Sequence, residues 1–366
     1  MVIKQYSKAT MARQRLPIYG KGGSVSLISG TRVIEDEICI LEKLKEKQVS
    51  NVISLHEVLS SPTEDRIILA FEYGGCQIMQ YAYGRPLDYV ANASSQPRDI
   101  SSGSSTMVYD ASKALTPGLV RQLLSAVSEL HSIGIVHKDI KPDNILLRGD
   151  DWSWGLRDAE EHEEGNGLTS SSSSTGSIPH LTLCDFNTAV IKADPRDMEI
   201  YDALGTTAFS PPEVFFGKDP VTGGLCGKAR DVWSVGVTFF TMMTGRLPWR
   251  PTGQESTPSS NLTLQLSILN DPLQVPSGIP EAARNLLEGL LRKDPSHRIT
   301  TAKALLHKFL AYSTERYMFV NPNARSCRLG NTRWTSSACG RMSYLQFLQV
   351  TARLKLTALR IRVNDR

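Results

Sequence analysis

An α+β fold is what this sequence predicts, strand-rich at its start and mainly helical afterwards. Two observations carry the prediction. Val52–Leu59 and Arg66–Tyr73 are β-type runs separated by a Ser-Pro turn. From Leu115 onward, apolar residues recur at helical spacing in several long segments. With 366 residues the chain can bury a large core, as one enzyme-sized domain with additions or as two domains.

Taken in order, Met1-Val2-Ile3-Lys4 is a short extended run ending in a lysine. Residues 8–33 form a basic insertion containing Gly and Ser, and its Gly20, Gly22 and Gly23 follow no strand–turn–strand pattern. Ile34, Ile38, Leu41 and Leu44 then recur at helical spacing with acidic residues between them, so 34–44 is a helix. The two strands follow, and residues 91–110, rich in Ser, Asn, Gln and Asp, read as a loop. Leu115–Ile133 is a helix begun by Thr116-Pro117 and ended at Gly134. Residues 150–180 hold a Trp/acidic patch and the Ser170–Ser174 run, which reads as a disordered, flexible insertion. Leu181–Cys184 is a buried strand, Asp231–Val237 opens an apolar helix, and Leu286–Leu291 and Thr300–Phe309 are further helices.

The stretch His137-Lys138-Asp139-Ile140-Lys141-Pro142-Asp143-Asn144 gathers a carboxylate, a lysine and a carboxamide within a few residues, after an amphipathic run. Each residue type is common in turns. Together they resemble the catalytic loop of eukaryotic protein kinases, H-R-D-x-K-P-x-N, with Lys138 in place of Arg. Asp185-Phe186-Asn187 stands where that family has D-F-G, and Pro211-Pro212-Glu213 where it has A-P-E. The insertion at 8–33, with "EICILEKL", "VISLHEVL" and "EDRIILAFEY", is similar to the calcium/calmodulin-dependent protein kinase kinases and the kinases that activate AMP-activated (Snf-type) kinases.

The resemblance implies a bilobal protein kinase fold, with a small antiparallel β-lobe over 1–73, a large mainly helical lobe over 74–310, and a basic tail over 311–366. It implies ATP and Mg²⁺ as cofactors and protein serine or threonine hydroxyls as acceptors, other kinases among them. Lys4 corresponds to the V-A-I-K lysine on the α- and β-phosphates, with Glu37 its helical partner rather than Glu35 or Glu42. Phe71 is the gatekeeper, Glu72, Tyr73 and Gly74 are the hinge for adenine, and Leu146 completes the nucleotide site. Asp139 accepts the proton of the attacking hydroxyl, Lys141 places charge near the γ-phosphate, and Asn144 and Asp185 ligate magnesium. Thr206 hydrogen-bonds Asp139 and Lys141, Glu213 pairs with Arg298, and Asp231 holds the catalytic-loop backbone. Leu41, His137 and Phe186 stack between the lobes.

Four departures stand out. Lys138 keeps a charge but lacks the planar fork of Arg. Asn187 replaces a glycine, and Asp202 occupies the place where many relatives carry a phosphorylated threonine, with Lys138 as its expected partner. The family's glycine-rich loop should precede Lys4, so an incomplete N-terminus is expected, and the alternative is a weak or inactive kinase fold serving as a scaffold.

Composition agrees with an ordinary globular protein, at 40% hydrophobic and 21% charged residues. A net charge of +4 is too mild to argue for nucleic acid. No apolar run is long enough for a membrane. The six scattered cysteines read as buried free thiols in a reducing compartment, and the chain as cytoplasmic. The tail carries Arg and Lys among Leu, Ile and Val from Tyr344 onward, which makes it a candidate calmodulin target, though a poorly ordered terminus fits its turn-rich start better.

Overall fold

The computed structural model describes residues 1–21, 24–78, 106–148, 178–216, 224–250 and 258–311. The low-complexity insertion other than 178–180, and the tail beyond Ala311, lie outside these residues.

The first part is built on a three-stranded antiparallel sheet. Its central strand β5 (Arg66–Phe71) lies between β1 (Val2–Ser7) and β4 (Leu55–Ser60). Lys4 pairs with Leu69 and Tyr6 with Ile67, so these two side chains share one face of β1. Helix α2 (Gly30–Lys47) begins where the Ser29 hydroxyl accepts the Arg32 N–H and ends at Gln48, whose φ is 52°. Its buried stripe, Ile34, Glu37, Leu41 and Leu44, is apolar except for one carboxylate.

The described residues between Lys4 and α2 form regular structure, contrary to the sequence expectation for Gly20; Gly22 and Gly23 lie outside the described residues. Helix α1 (Lys8–Arg13) leads into a hairpin of β2 (Arg15–Tyr19) and β3 (Val25–Ser29), and Gly20 closes the turn by donating to the Ser24 carbonyl. This is a strand–turn–strand unit, but it forms its own two-stranded sheet apart from β1. Its alternation is diluted by Pro17, tolerated because the strand has one pairing edge.

Other boundaries also moved. Strand β4 starts at Leu55, and Val52 instead makes an isolated parallel bridge to Leu183. Helix α3 runs from Thr106 to Ser132, so Pro117 is internal rather than at its first turn and the end of the expected loop is helical. Thr300–Phe309 is broken into α8 (Thr301–Leu305) and α9 (Lys308–Ala311).

The helical part is organised around α5 (Gly227–Thr244), which follows α4 (Pro212–Phe216), is buried almost throughout, and packs against α3 and α7 (Glu281–Leu290). Between α5 and α7 lies α6 (Pro258–Asn270). Trp233 of α5 stacks on Trp249 at 5.3 Å between centroids, and the Arg298 guanidinium lies 5.0 Å from the Trp233 ring centroid. The short strands β6 (Cys76–Gln77), β8 (Ile145–Arg148) and β9 (His180–Leu183) form a second three-stranded sheet beneath the junction of the two parts. Two small ladders complete the fold, β7 (Ile135–Val136) with β10 (Val190–Ile191) and β11 (Glu199–Ile200) with β12 (Leu225–Cys226). Among the described residues the four thiols are free as expected but not buried: Cys39 and Cys226 are exposed, Cys76 and Cys184 half-buried. No helix among the described residues is long and apolar enough to cross a membrane.

Candidate active site

The loop between β7 and β8 presents the polar cluster. Its backbone is fixed from below by Asp231, which accepts the N–H groups of His137 and Lys138 at 2.9 Å each and also contacts the His131 ring at 3.0 Å. Burial opposes ionisation of Asp231, but these donors hold its pKa below the usual carboxylate value. Lys138 has φ 70°, and Asp185 at the end of β9 has φ 65°, a conformation that non-glycine residues adopt only under constraint. His137 packs its ring 4.8 Å from Phe186; both are buried, and Phe186 belongs to the core cluster that contains Leu41. Asn187 has no positive φ, so the family's glycine geometry is not demanded of it.

Asp139 sits at the centre of the cluster. One carboxylate oxygen accepts from the Thr206 N–H at 2.8 Å and the Thr206 hydroxyl at 2.7 Å. The other lies 2.8 Å from Lys141 Nζ. Lys141 also donates to Thr206 Oγ1 at 2.8 Å. Burial alone would raise the Asp139 pKa, but Lys141 and Thr206 overcome it and the carboxyl is held below its ordinary value. Gly205 makes the approach possible: its φ is 123°, and a Cβ there would lie 2.5 Å from the Lys138 carbonyl oxygen.

A second group gathers under β1. Lys4 Nζ lies 2.8 Å from Glu37 Oε1 and 2.8 Å from Asp185 Oδ1, joining β1, α2 and the end of β9. Burial works against the ammonium charge, but the two carboxylates outweigh it and raise the Lys4 pKa. Glu35 and Glu42 are exposed, as expected of the rejected candidates. The Cys184 thiol beside Asp185 is pushed up to about 12 by burial, so it stays a protonated, unreactive group.

Phe71 is buried at the end of β5. Past it, Glu72 donates its N–H to the Ser54 carbonyl, and the Tyr73 carbonyl accepts from Arg148. Gly74 lies directly against Leu146, since a Cβ there would meet Leu146 Cδ1 at 2.8 Å. The structure thus brings Glu72, Tyr73, Gly74 and Leu146 to one wall, and Asp139, Lys141, Asn144 and Thr206 to one loop cluster. Lys4, Glu37 and Asp185 form a third group.

Asn144 donates through Nδ2 to the Asp139 carbonyl at 2.8 Å and to its carboxylate at 3.3 Å, which leaves the amide oxygen to face a cation. Asp185 has one oxygen on Lys4 and the other without a partner among the described residues. No group of three or more His, Cys, Asp or Glu able to hold a metal occurs among the described residues. One carboxamide and one carboxylate fit magnesium, which keeps water and substrate oxygens rather than an all-protein cage.

Three residues of the site were not legible in the sequence. Tyr6 donates to Glu37 Oε2 at 2.7 Å. His131 supports Asp231 from α3. Arg230, fully buried, donates to the carbonyls of Lys138, Asp202 and Leu204. Tyr6 could have been found from its position two residues after Lys4 on a strand. Nothing local singles out Arg230.

The peptide segment after Asp185 is fastened at two points. Asp202 takes Lys138 Nζ at 2.8 Å and 3.1 Å on its two oxygens. Glu213 and Arg298 form a buried two-bond ion pair at 2.6 Å and 3.0 Å. Residues 25–310, well over half of the chain, match the protein kinase domain. The chain belongs to the protein kinase family. Serine/threonine-protein kinase TOS3 of Saccharomyces cerevisiae is 27% identical over 294 residues, covering 74% of this kinase chain and 43% of its own length. Serine/threonine-protein kinase ssp1 of Schizosaccharomyces pombe is 28% identical over 290 residues, 78% of this chain and 36% of its own. Calcium/calmodulin-dependent protein kinase type I of the same yeast is 31% identical over 207 residues, 57% of this chain and 52% of its own. The kinase chain therefore spans between about a third and about half of these relatives' lengths.

Proposed function

We propose that this chain is a serine/threonine protein kinase that moves the γ-phosphoryl group of ATP to a protein hydroxyl. One observation carries the reading: Asp139 is held ionised by Lys141 and Thr206, with its carboxylate facing the same loop that carries Asn144. Phosphoryl transfer asks the protein for positioning and charge rather than covalent chemistry. Asp139 orients the acceptor hydroxyl and takes its proton, while Lys141 offsets charge on the phosphoryl group. Lys4, fixed by Glu37, grips the phosphates, and Asn144 and Asp185 hold magnesium, which neutralises phosphate charge when bound. The backbone of Glu72, Tyr73 and Gly74 receives adenine above Leu146.

We assign 1–310 to the kinase domain, with lobes 1–73 and 74–310, the insertion at 150–180, and a separate basic tail at 311–366. The family match reaching residue 310 supports the latter boundary. The resemblance of the inserted small lobe to kinase-activating kinases supports other kinases as substrates. Calmodulin is the partner proposed for the tail. Free thiols support a cytoplasmic site of action. No nucleic-acid or membrane partner is proposed.

The test is phosphate transfer from Mg-ATP to a serine/threonine substrate mixture, with Asp139→Asn as control. Transfer that disappears in the control is expected, with a loss of at least about a hundredfold. Equal rates from both proteins would sink the assignment and favour a scaffold role.

A further inference from the structure

The Glu37 carboxylate is 2% exposed and has two oxygens, each with its own donor. Oε1 takes Lys4 Nζ at 2.8 Å, and Oε2 takes the Tyr6 hydroxyl at 2.7 Å. Both donors stand on β1 two residues apart, so one strand face grips a single helical carboxylate from two sides. The Tyr6 ring also lies 5.4 Å below the Lys4 ammonium, so it contacts both members of the ion pair. Packing alone does not require this hydroxyl, because a phenylalanine would fill the same space.

We propose that Tyr6 is a positioning residue of this site: it locks Glu37 from the side opposite Lys4 and thereby sets the aim of the lysine at the nucleotide phosphates. This rests on the kinase reading of Lys4. Without the hydroxyl, Oε2 has no donor among the described residues, and a buried carboxylate oxygen then seeks another partner by rotating. Rotation about the Glu37 side chain moves Oε1 as well, and Lys4 is drawn with it toward Asp185, its other carboxylate. Burial and the Glu37 charge keep the phenol well above its usual pKa, so it remains a donor across the working pH range.

The experiment compares the full chain with Tyr6→Phe, Glu37→Ala and the double variant. Each is measured for kcat/KM toward Mg-ATP and for the dissociation constant of a fluorescent ATP analogue. Tyr6→Phe is expected to lower kcat/KM about tenfold, the strength of one charge-assisted hydrogen bond. It is expected to have no further effect in the Glu37→Ala background, because its action passes through that carboxylate. No loss from Tyr6→Phe, or the same fold-loss in both backgrounds, would overturn the inference. If the wild type binds the analogue but transfers no phosphate, the kinase reading fails. The cycle read in dissociation constants then still decides the role of Tyr6. A wild type that binds no nucleotide overturns both.

Discussion

His137 is wholly buried, and burial holds its imidazole pKa below the ordinary value. Its two ring nitrogens explain why the neutral form belongs there: Nδ1 faces the Asp139 N–H at 3.3 Å and Nε2 donates to the Cys184 carbonyl at 3.2 Å. A protonated ring would set two N–H groups against each other. The unfolded state takes up the proton first, so this residue's contribution to stability is present above about pH 6.5 and is lost as pH falls through the lower folded pKa. Unfolding free energy is expected to fall between pH 7 and pH 5 with a slope of up to about 1.4 kcal/mol per pH unit from this group. Denaturant titrations of wild type and His137→Gln check it, and the variant's slope should be shallower. Asp202 is the other residue with a definite consequence. It pairs with Lys138 while Arg230 lies within 3.9 Å, so two buried cations share one carboxylate. Burial lowers the Lys138 pKa despite this partner, which makes loss of the carboxylate costly. Phosphatase treatment should leave the transfer rate unchanged, and Asp202→Ala should lower it about tenfold or more. A phosphatase-sensitive rate would show that the switch lies elsewhere. From sequence, the Lys138–Asp202 pair was legible because both positions fall in recognisable motifs. Tyr6 and Arg230 were not, since a hydroxyl or guanidinium acquires its role only from what the fold sets beside it.

At the scale of elements, the segment between Asp185 and α4 is shaped by contacts far away in the chain. Arg298 reaches Glu213 from beyond α7 with two hydrogen bonds, and its remaining donors go to the Ala229, Arg292 and Lys293 carbonyls. Every charge is paired, so removing one partner leaves the other buried alone. Glu213→Ala is expected to destabilise the protein by about 3–5 kcal/mol, and Glu213→Ala with Arg298→Ala by less than the sum of the single losses. Chemical denaturation of the single and double variants measures this directly. The elements predicted best were α2, whose periodic apolar stripe meets the core, and α5, whose apolar run is buried almost throughout. Helix α3 was misjudged at its start because Pro117 reads as a first-turn signal, whereas the helix begins at Thr106 and carries Pro117 inside. The hairpin β2–β3 was missed because its short strands carry little regular apolar alternation, with Pro17 inside β2.

For the whole molecule, the site is a meeting of separate layers. Lys4 comes from the first sheet, Glu37 from α2, Asp185 from the sheet beneath the junction, and Asp139 from the loop before β8. A ligand bridging these groups ties the layers together, so Mg-ATP at about 100 times its dissociation constant should stabilise the fold by about 2.7 kcal/mol. Thermal unfolding with and without Mg-ATP tests this, and Lys4→Ala should remove most of the shift. An unshifted transition in the wild type would contradict nucleotide binding. By itself the sequence determined the family and the fold class and picked out the motif loop at 137–144, because motif spacing and apolar periodicity are local quantities. Only the tertiary structure decided that the 8–33 insertion is a folded hairpin unit and that Asn187 needs no left-handed backbone. It alone placed the hydroxyl of Tyr6 on Glu37. Each of these depends on which groups come within hydrogen-bond range across the fold, and no window along the chain contains that distance.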